Sequence, residues 1–484
     1  MLDCLPSNDE LELILRDTVE KKFPGYRPKF EDHPVRRTSH ANIHHLRISA
    51  KRPKTKRRKK RMNVQLALKT FLLVESLGDQ SYIDRHDPSK LADLEARAFK
   101  WIDKEVRIPS ADSSTKSYLV PAFFGYSEKH MAIATKFFYG DMLYDLLAGT
   151  SSNESFQKHF LMGVKDVARL NGLTNAPEHR FYSSSEEFKE SSLANANENS
   201  ASLLGNLATM YCALNPDEFI GRSPTEETST KRTLEYVKRK KKVDLQEKVK
   251  EISAMRPSIG EPSRLQHRDC SGKNMIITRH GKYANRFVDL ETFGPDSAVE
   301  DIASYCIFLA RGNNAVFRSS DFPHYRHVFH AYELAWRDRD PDMVRHLDGL
   351  ENGQFKEFLQ PKMTGREYAD LTAAFFSNAI VKTVTLAAAG ARNPGNDELG
   401  IEAIAVTDPS RWHSDMNELF IAVYDMGNLI NDCSNPEEVK NYFYTLGKTL
   451  TDVGYNIDQG ILNAIKTGGG IGRNVMGEVP KFHK

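Results

Sequence analysis

The stretch "LQHRDCSGKNMIITRHGKYANRFVDLETFG", residues 265–294, decides how this chain is read. Asp269 and Asn274 stand five apart. Asp289 follows fifteen residues after Asn274, inside the short apolar run "FVDLE". The stretch reads as a strand–turn–strand unit. Asp and Asn favour turns on their own account, so these three side chains gain meaning only from what surrounds them.

What surrounds them is a chain of 484 residues, too long for one simple core, so two or more lobes are expected. With 40% hydrophobic and 10% aromatic residues, the composition is ordinary for a globular protein. The net charge of +2 gives no global bias toward nucleic acid or acidic lipid. The five cysteines (Cys4, Cys212, Cys270, Cys306 and Cys433) are scattered with no CxxC pair, which disfavours structural zinc and suits a reducing compartment. The N-terminus lacks a basic start followed by an apolar core, so no signal peptide is expected. "IVKTVTLAAAGA" is interrupted by Lys382 and reads as too short to span a bilayer. A cytoplasmic protein without an integral membrane segment is expected.

Upstream, residues 1–34 form an N-terminal extension with a short amphipathic helix whose apolar stripe is Leu11, Leu13, Ile14 and Val19. Residues 35–139 are strand-like, in "NIHHLRIS", "MNVQLALKTFLL", "YLVPAFFGYS" and "MAIATKFF". One helix interrupts them, "DPSKLADLEARAFKWI", with Asp87 as cap and Pro88 in its first turn. Residues 140–484 are mainly helical. Within them lie a polar helical insertion at about 172–262, helices over 300–465 and a flexible tail.

Phosphoryl transfer needs a base or orienter for the attacking hydroxyl, ligands for Mg²⁺ and a cation on the phosphates. Mg²⁺ prefers hard oxygen ligands. Asp269, Asn274 and Asp289 offer such groups, and His267-x-Asp269-x4-Asn274 has the spacing of the kinase catalytic loop, 267–274 here. With "RFVDLETFG" and then "EDIASY" in order, the sequence resembles the protein-kinase-like superfamily. It is most similar to the aminoglycoside phosphotransferase and choline kinase branch. The resemblance implies an α+β, bilobal protein-kinase-like fold, with a small β-rich N-lobe carrying one helix and a large, mainly helical C-lobe. It implies Asp269 as catalytic base, Asn274 and Asp289 as Mg²⁺ ligands, and His267 and Asp301 as braces of the loop. Protein kinases usually carry a lysine two residues after the Asp; here that residue is Ser271. Asp301 follows Asp289 by only twelve residues, which leaves little room for a peptide platform. A small-molecule hydroxyl acceptor fits better than a protein.

The remaining parts are sought upstream. "VQLALKTFL" resembles the strand that carries the nucleotide lysine. Alternation puts Ala67 and Lys69 on one face, and a small Ala leaves room for adenine. On the helix, with Leu91 as zero, Leu94, Ala98, Trp101 and Ile102 fall within roughly 80° of it, and Glu95 at about 40°. Glu95 is the acid on the inward stripe, and Lys69 is its natural cation. "VRRTSHANIHHLRI" lies where the superfamily has a glycine-rich turn. It has no glycine, and Ser39 and Asn42 are the candidate phosphate-loop residues. "MAIATKFFYGDMLYDLL" resembles the hinge, with Lys136, Phe137 and Phe138 beside adenine and Gly140 opening the helical lobe.

The expected activity is transfer of the γ-phosphate of ATP, with Mg²⁺, to a hydroxyl of a small molecule. A catalytically weak kinase-like regulator and an atypical protein kinase are the alternatives. "KRPKTKRRKKR", residues 51–61, has nine cations in eleven positions. Such a run is usually solvated. Nucleic acid or an acidic partner is open to this run but not favoured, and without interleaved aromatics single-strand stacking is unsupported.

Overall fold

The structure is a computed structural model that describes residues 6–29, 35–37, 41–51, 61–71, 87–106, 119–148, 153–175, 180–218, 227–256, 263–278, 286–312, 366–392 and 409–468. It divides into two units. The first comprises Met1–Leu146, Gly172–Phe181 and Lys273–Phe293. The second comprises Leu147–Asn171, Tyr182–Gly272 and Gly294–Lys484.

Alternating apolar residues build the first unit's main sheet. Strands β1 (Arg27–Lys29), β2 (Val35–Arg37), β3 (Ala41–Lys51), β4 (Arg61–Phe71), β5 (Phe123–Ser127) and β6 (Ala132–Lys136) are antiparallel. Their order is β1-β3-β4-β6-β5, with β2 also on β3. Leu46, Ile48, Leu66, Leu68, Ala132 and Ala134 join one buried cluster with Leu11, Leu15 and Val19 of helix α1 (Asn8–Val19). The inward stripe of α1 therefore includes Leu15, while the expected Leu13 is 36% exposed. Ser7 and Glu10 close a capping box at its start. A side chain at Gly125 would meet the Thr18 carbonyl oxygen at 1.7 Å, so glycine lets α1 lie against β5.

The longer helix of this unit, α2 (Pro88–Lys104), starts as its sequence indicates. The Asp87 carboxylate accepts from the Ser89 N–H at 2.9 Å, and Pro88 occupies the first turn. Its buried residues are Ala92, Glu95, Ala96, Ala98, Phe99 and Ile102. A second, small sheet joins β7 (Gly140–Met142) to β9 (Met275–Thr278) and β10 (Arg286–Phe287). Gly140 was expected to open the helical part. It instead pairs with Thr278, and a Cβ there would sit 2.1 Å from the Ile277 oxygen. Three residues are too few to show a strand period, and the partner strand lies far along the chain. Helix α3 (Leu143–Ala148) follows directly.

Among the described residues the second unit is helical apart from the two-stranded β8 (Ser263–Gln266) and β11 (Gly294–Ser297). Its described helices are α4 (Asn153–Thr174), α5 (Ser185–Leu214), α6 (Glu227–Lys241), α7 (Leu245–Met255), α8 (Glu300–Gly312), α9 (Arg366–Arg392), α10 (Pro409–Asp425), α11 (Gly427–Asn431), α12 (Pro436–Val453) and α13 (Gln459–Thr467). The segment read as a polar insertion is central here. Helix α5 packs on α9, α7, α12 and β11. Three of its asparagines are used internally: Asn206 donates to Thr385 Oγ1 at 3.1 Å, Asn199 to Asp296 Oδ2 at 3.1 Å, and Asn195 to the Pro295 carbonyl. Polar composition alone does not distinguish a solvated helix from one whose amides are satisfied inside.

Ala369–Arg392 within α9 is, among the described residues, long and apolar enough to cross a membrane by length and composition, longer than the sequence reading allowed. In the structure 78% of its apolar window is buried, so its apolar surface serves the core of the second unit. The architecture is α+β, a β-rich first unit with one long helix and a helical second unit, consistent with the bilobal kinase-like expectation.

Candidate active site

In the first unit, strand alternation puts Lys69 on the face of β4 opposite the Leu66–Leu68 core. Its side chain is 10% exposed and meets three carboxylates. Nζ lies 2.8 Å from Glu95 Oε2 and 2.9 Å from Glu291 Oε2, and it contacts Asp289 Oδ1 as well. The expected pairing of the strand lysine with the helix glutamate is therefore present. Glu291 was not among the sequence candidates: it lies two residues past Asp289, and with Asp289 at φ +64° and a turn at 291–292 no strand alternation marks the two as sharing a side.

Burial opposes the Lys69 charge, but Glu95, Asp289 and Glu291 together hold its pKa well above the ordinary value. Burial pushes Glu95 up to about 7 against the pull of Lys69. Glu95 Oε1 also accepts the Leu290 N–H at 3.3 Å, which ties α2 to the segment bearing Asp289. Oxygens of Glu95, Asp289 and Glu291 lie within 4.8 Å of one another. One ammonium does not neutralise three carboxylates, and oxygen donors of this kind suit Mg²⁺. Asn274 is 9% exposed, and its carbonyl accepts the Val288 N–H at 3.0 Å, which links the two proposed metal-binding residues through the β9–β10 hairpin.

Asp289 has φ +64° and Arg268 φ +69°. A non-glycine residue in this region costs about 1–3 kcal/mol and persists only where its surroundings enforce it. Both lie within residues 265–294.

The remaining first-unit candidates sit along β3, β4 and β6. Ala67 faces His45 on one side and Thr135 on the other in register. The His45 ring stacks on Phe137 at 3.6 Å and bonds Gln65 Oε1 at 3.0 Å. The Phe137 N–H donates to the Gln65 carbonyl at 3.1 Å, so it is engaged within the sheet. Lys136 Nζ stands 4.9 Å over the Phe138 ring. Asn42 is buried, and its carbonyl accepts Thr70 Oγ1 at 3.4 Å. Ser39 and most of the basic run 51–61 lie outside the described residues.

In the second unit the loop bearing Asp269 is held from α8. Asp301 is fully buried, and its carboxylate accepts the N–H of His267 at 2.7 Å and of Arg268 at 2.8 Å. Burial pushes Asp301 up to about 6 despite those contacts. The Arg268 side chain turns to Asp296 Oδ2 at 3.2 Å. The Asp269 carbonyl accepts the Ser271 N–H at 3.0 Å in a tight turn, and Asp269 is partly exposed beside the buried Cys270. Burial raises the Cys270 thiol well above its ordinary value, which keeps it protonated beside the carboxylate.

An ethanolamine kinase from Plasmodium vivax is similar in structure at 12% identity and TM-score 0.42, covering 85% of this chain and 92% of that one. A choline kinase from Cryptosporidium parvum is similar at 11% identity and TM-score 0.44, covering 86% and 97%. An aminoglycoside-3′-phosphotransferase of type VIII is similar at 14% identity and TM-score 0.33, covering 73% and 95%. No curated protein matches the sequence. Over residues 193–346, which hold Asp269, Asn274, Asp289 and Asp301, the chain matches the phosphotransferase enzyme family, in agreement with its resemblance to the aminoglycoside phosphotransferase and choline kinase branch.

Proposed function

We propose that this chain is an ATP- and Mg²⁺-dependent phosphotransferase that moves the γ-phosphoryl group of ATP to a hydroxyl of a small molecule. The observation that carries the reading is the gathering of Glu95, Asp289 and Glu291 around Lys69. A buried ammonium on a strand, paired to a helix carboxylate beside a second acidic pair, is the arrangement that binds metal-chelated phosphates. Lys69 would hold the α- and β-phosphates. Asp289 and Asn274, with Glu291 as a further oxygen donor, would hold Mg²⁺. When bound, the ion neutralises charge on the phosphate oxygens.

Asp269 would orient the acceptor hydroxyl. The hydroxyl oxygen bonds the γ-phosphorus, the bond from that phosphorus to the β–γ bridging oxygen breaks, ADP leaves, and the hydroxyl proton passes to the Asp269 carboxylate. His267 and Asp301 fix the backbone before it. Ala67 would leave space for the base, and Lys136 to Phe138, Asn42 and Ser39 would border the nucleotide. The four described cysteines, Cys212, Cys270, Cys306 and Cys433, are free, which supports work in a reducing, cytoplasmic setting.

Thermal shift with ATP, with and without Mg²⁺, tests the nucleotide site in the wild type and in Asp289→Ala. A ligand that binds only the folded state raises its melting temperature. The expected result is a Mg²⁺-dependent rise in the wild type that disappears in the variant. No rise in the wild type removes the reading. A rise without turnover of any hydroxyl acceptor favours a regulator instead.

A further inference from the structure

The residue bonded to Asp269 on its N-terminal side stands in a conformation that side chains avoid. Arg268 has φ +69°. There a Cβ crowds the backbone, and glycine is the residue that adopts it freely. An arginine persists there only where its surroundings over-determine it. The torsion φ turns about the N–Cα bond, so two holds fix it, one on the N–H and one on the side chain.

Both holds are present in the second unit, and both are carboxylates. Asp301 Oδ1 accepts the Arg268 N–H at 2.8 Å. Asp296 Oδ2 accepts the Arg268 Nε–H at 3.2 Å, with the two side chains only 16% and 7% exposed. Glu198 Oε2 lies 3.5 Å from the far end of the same guanidinium but is half exposed, so solvent screens it and Asp296 is the principal anchor.

Asp296 is itself immobilised. It lies on β11 opposite Arg264 of β8, the strand that leads into the loop. Its Oδ1 accepts the Ser297 N–H at 2.7 Å, and its Oδ2 accepts from Asn199 Nδ2 of α5 at 3.1 Å. Arg256, at the end of α7, stands with Nη2 4.0 Å from Oδ1. Strand β11, α5 and the end of α7 thus meet at one buried carboxylate, and that carboxylate grips the residue before Asp269. On the other side, the Asp269 carbonyl accepts the Ser271 N–H at 3.0 Å. Fixed from both directions, the backbone leaves little freedom to the direction in which the Asp269 side chain departs.

We propose that Asp296 is a positioning residue for Asp269: its ion pair with Arg268 holds that arginine in the left-handed conformation from which the Asp269 carboxylate is presented. This rests on the phosphotransferase reading above, in which Asp269 orients the acceptor. Arg268 then acts through its backbone, and a glycine in its place needs no anchor. An ion pair that served stability alone would make no such distinction.

The measurement is steady-state ADP release from Mg²⁺-ATP with water as acceptor, beside the melting temperature. The proteins are wild type, Asp296→Asn, Arg268→Ala, Arg268→Gly and the double variant Arg268→Gly/Asp296→Asn. Asp296→Asn and Arg268→Ala are expected to lower kcat about 10- to 100-fold, the loss that a displacement of about 1 Å brings. The KM for ATP should stay within about twofold, as for a group acting in the transition state rather than in binding. Arg268→Gly loses the same ion pair but adopts the conformation without it, so its kcat should exceed that of Arg268→Ala about tenfold. The double variant should keep the rate of Arg268→Gly while its melting temperature stays below wild type, because Arg256 has lost its neighbouring carboxylate. Should Asp296→Asn fail to fold, the alanine and glycine variants decide alone, since both keep Asp296. Equal kcat in those two, or wild-type kcat in Asp296→Asn, overturns the proposal and leaves the phosphotransferase reading intact. No ADP release by the wild type removes both.

Discussion

Lys69 on β4 and Glu95 on α2 meet at 2.8 Å, with the glutamate side chain 2% exposed. Twenty-six positions separate them in the sequence, and neither is stable alone in that setting. A buried charge without a partner costs several kcal/mol, so the pair commits the sheet and the helix to one arrangement.

Lys69→Met is expected to destabilise the protein by about 3–5 kcal/mol near neutral pH, because Glu95, Asp289 and Glu291 are left with their mutual repulsion. Protonation of Glu95 relieves part of this, so the deficit should shrink at pH 5.5. Thermal or urea denaturation at the two pH values checks it. An equal deficit at both would mean that lost packing, not charge, is responsible. Turnover of Mg²⁺-ATP should fall by a factor of about 100 or more.

Glu95 also predicts a pH dependence. Its carboxyl is raised to about 7 from an ordinary 4.5, chiefly by burial. Between those values the folded protein holds a proton that the unfolded chain has released. The stabilisation is complete below about 4.5 and is lost as pH rises through about 7. Glu95→Gln cannot titrate, so the difference in melting temperature between wild type and variant should change across this window and level off above it. A pH-independent difference would show that Glu95 is ionised throughout.

Asp301→Ala would leave the His267 and Arg268 N–H groups without their acceptor, at about 1–3 kcal/mol each. Arg268 would also lose the contact that maintains its positive φ. Amide hydrogen exchange should quicken at residues 266–270, and ADP release should drop. Asp301→Asn keeps one acceptor oxygen and should fall between Ala and wild type. Unchanged exchange in Asp301→Ala would mean the loop is held by other contacts.

Much of the site was legible before folding was considered. His267, Asp269, Asn274, Asp289 and Asp301 stand close together in sequence, so local spacing displays them. Period-two alternation placed Lys69 opposite the Leu66–Leu68 face, and the helical angle singled out Glu95, because both signals are properties of single elements. Long-range contacts left no such trace. Gly140–Met142 becomes a strand only because β9 pairs with it, and the polar face of α5 is internal only because Thr385, Asp296 and Pro295 receive its asparagines. Glu291 joins Lys69, and Lys382 reaches Glu300, through packing of elements far apart in the chain. Periodicity and motif spacing are local quantities, and they specify which side chains an element presents. Which charges then neutralise one another is set by burial, where an unpaired charge is too costly to remain, and burial exists only in the folded chain.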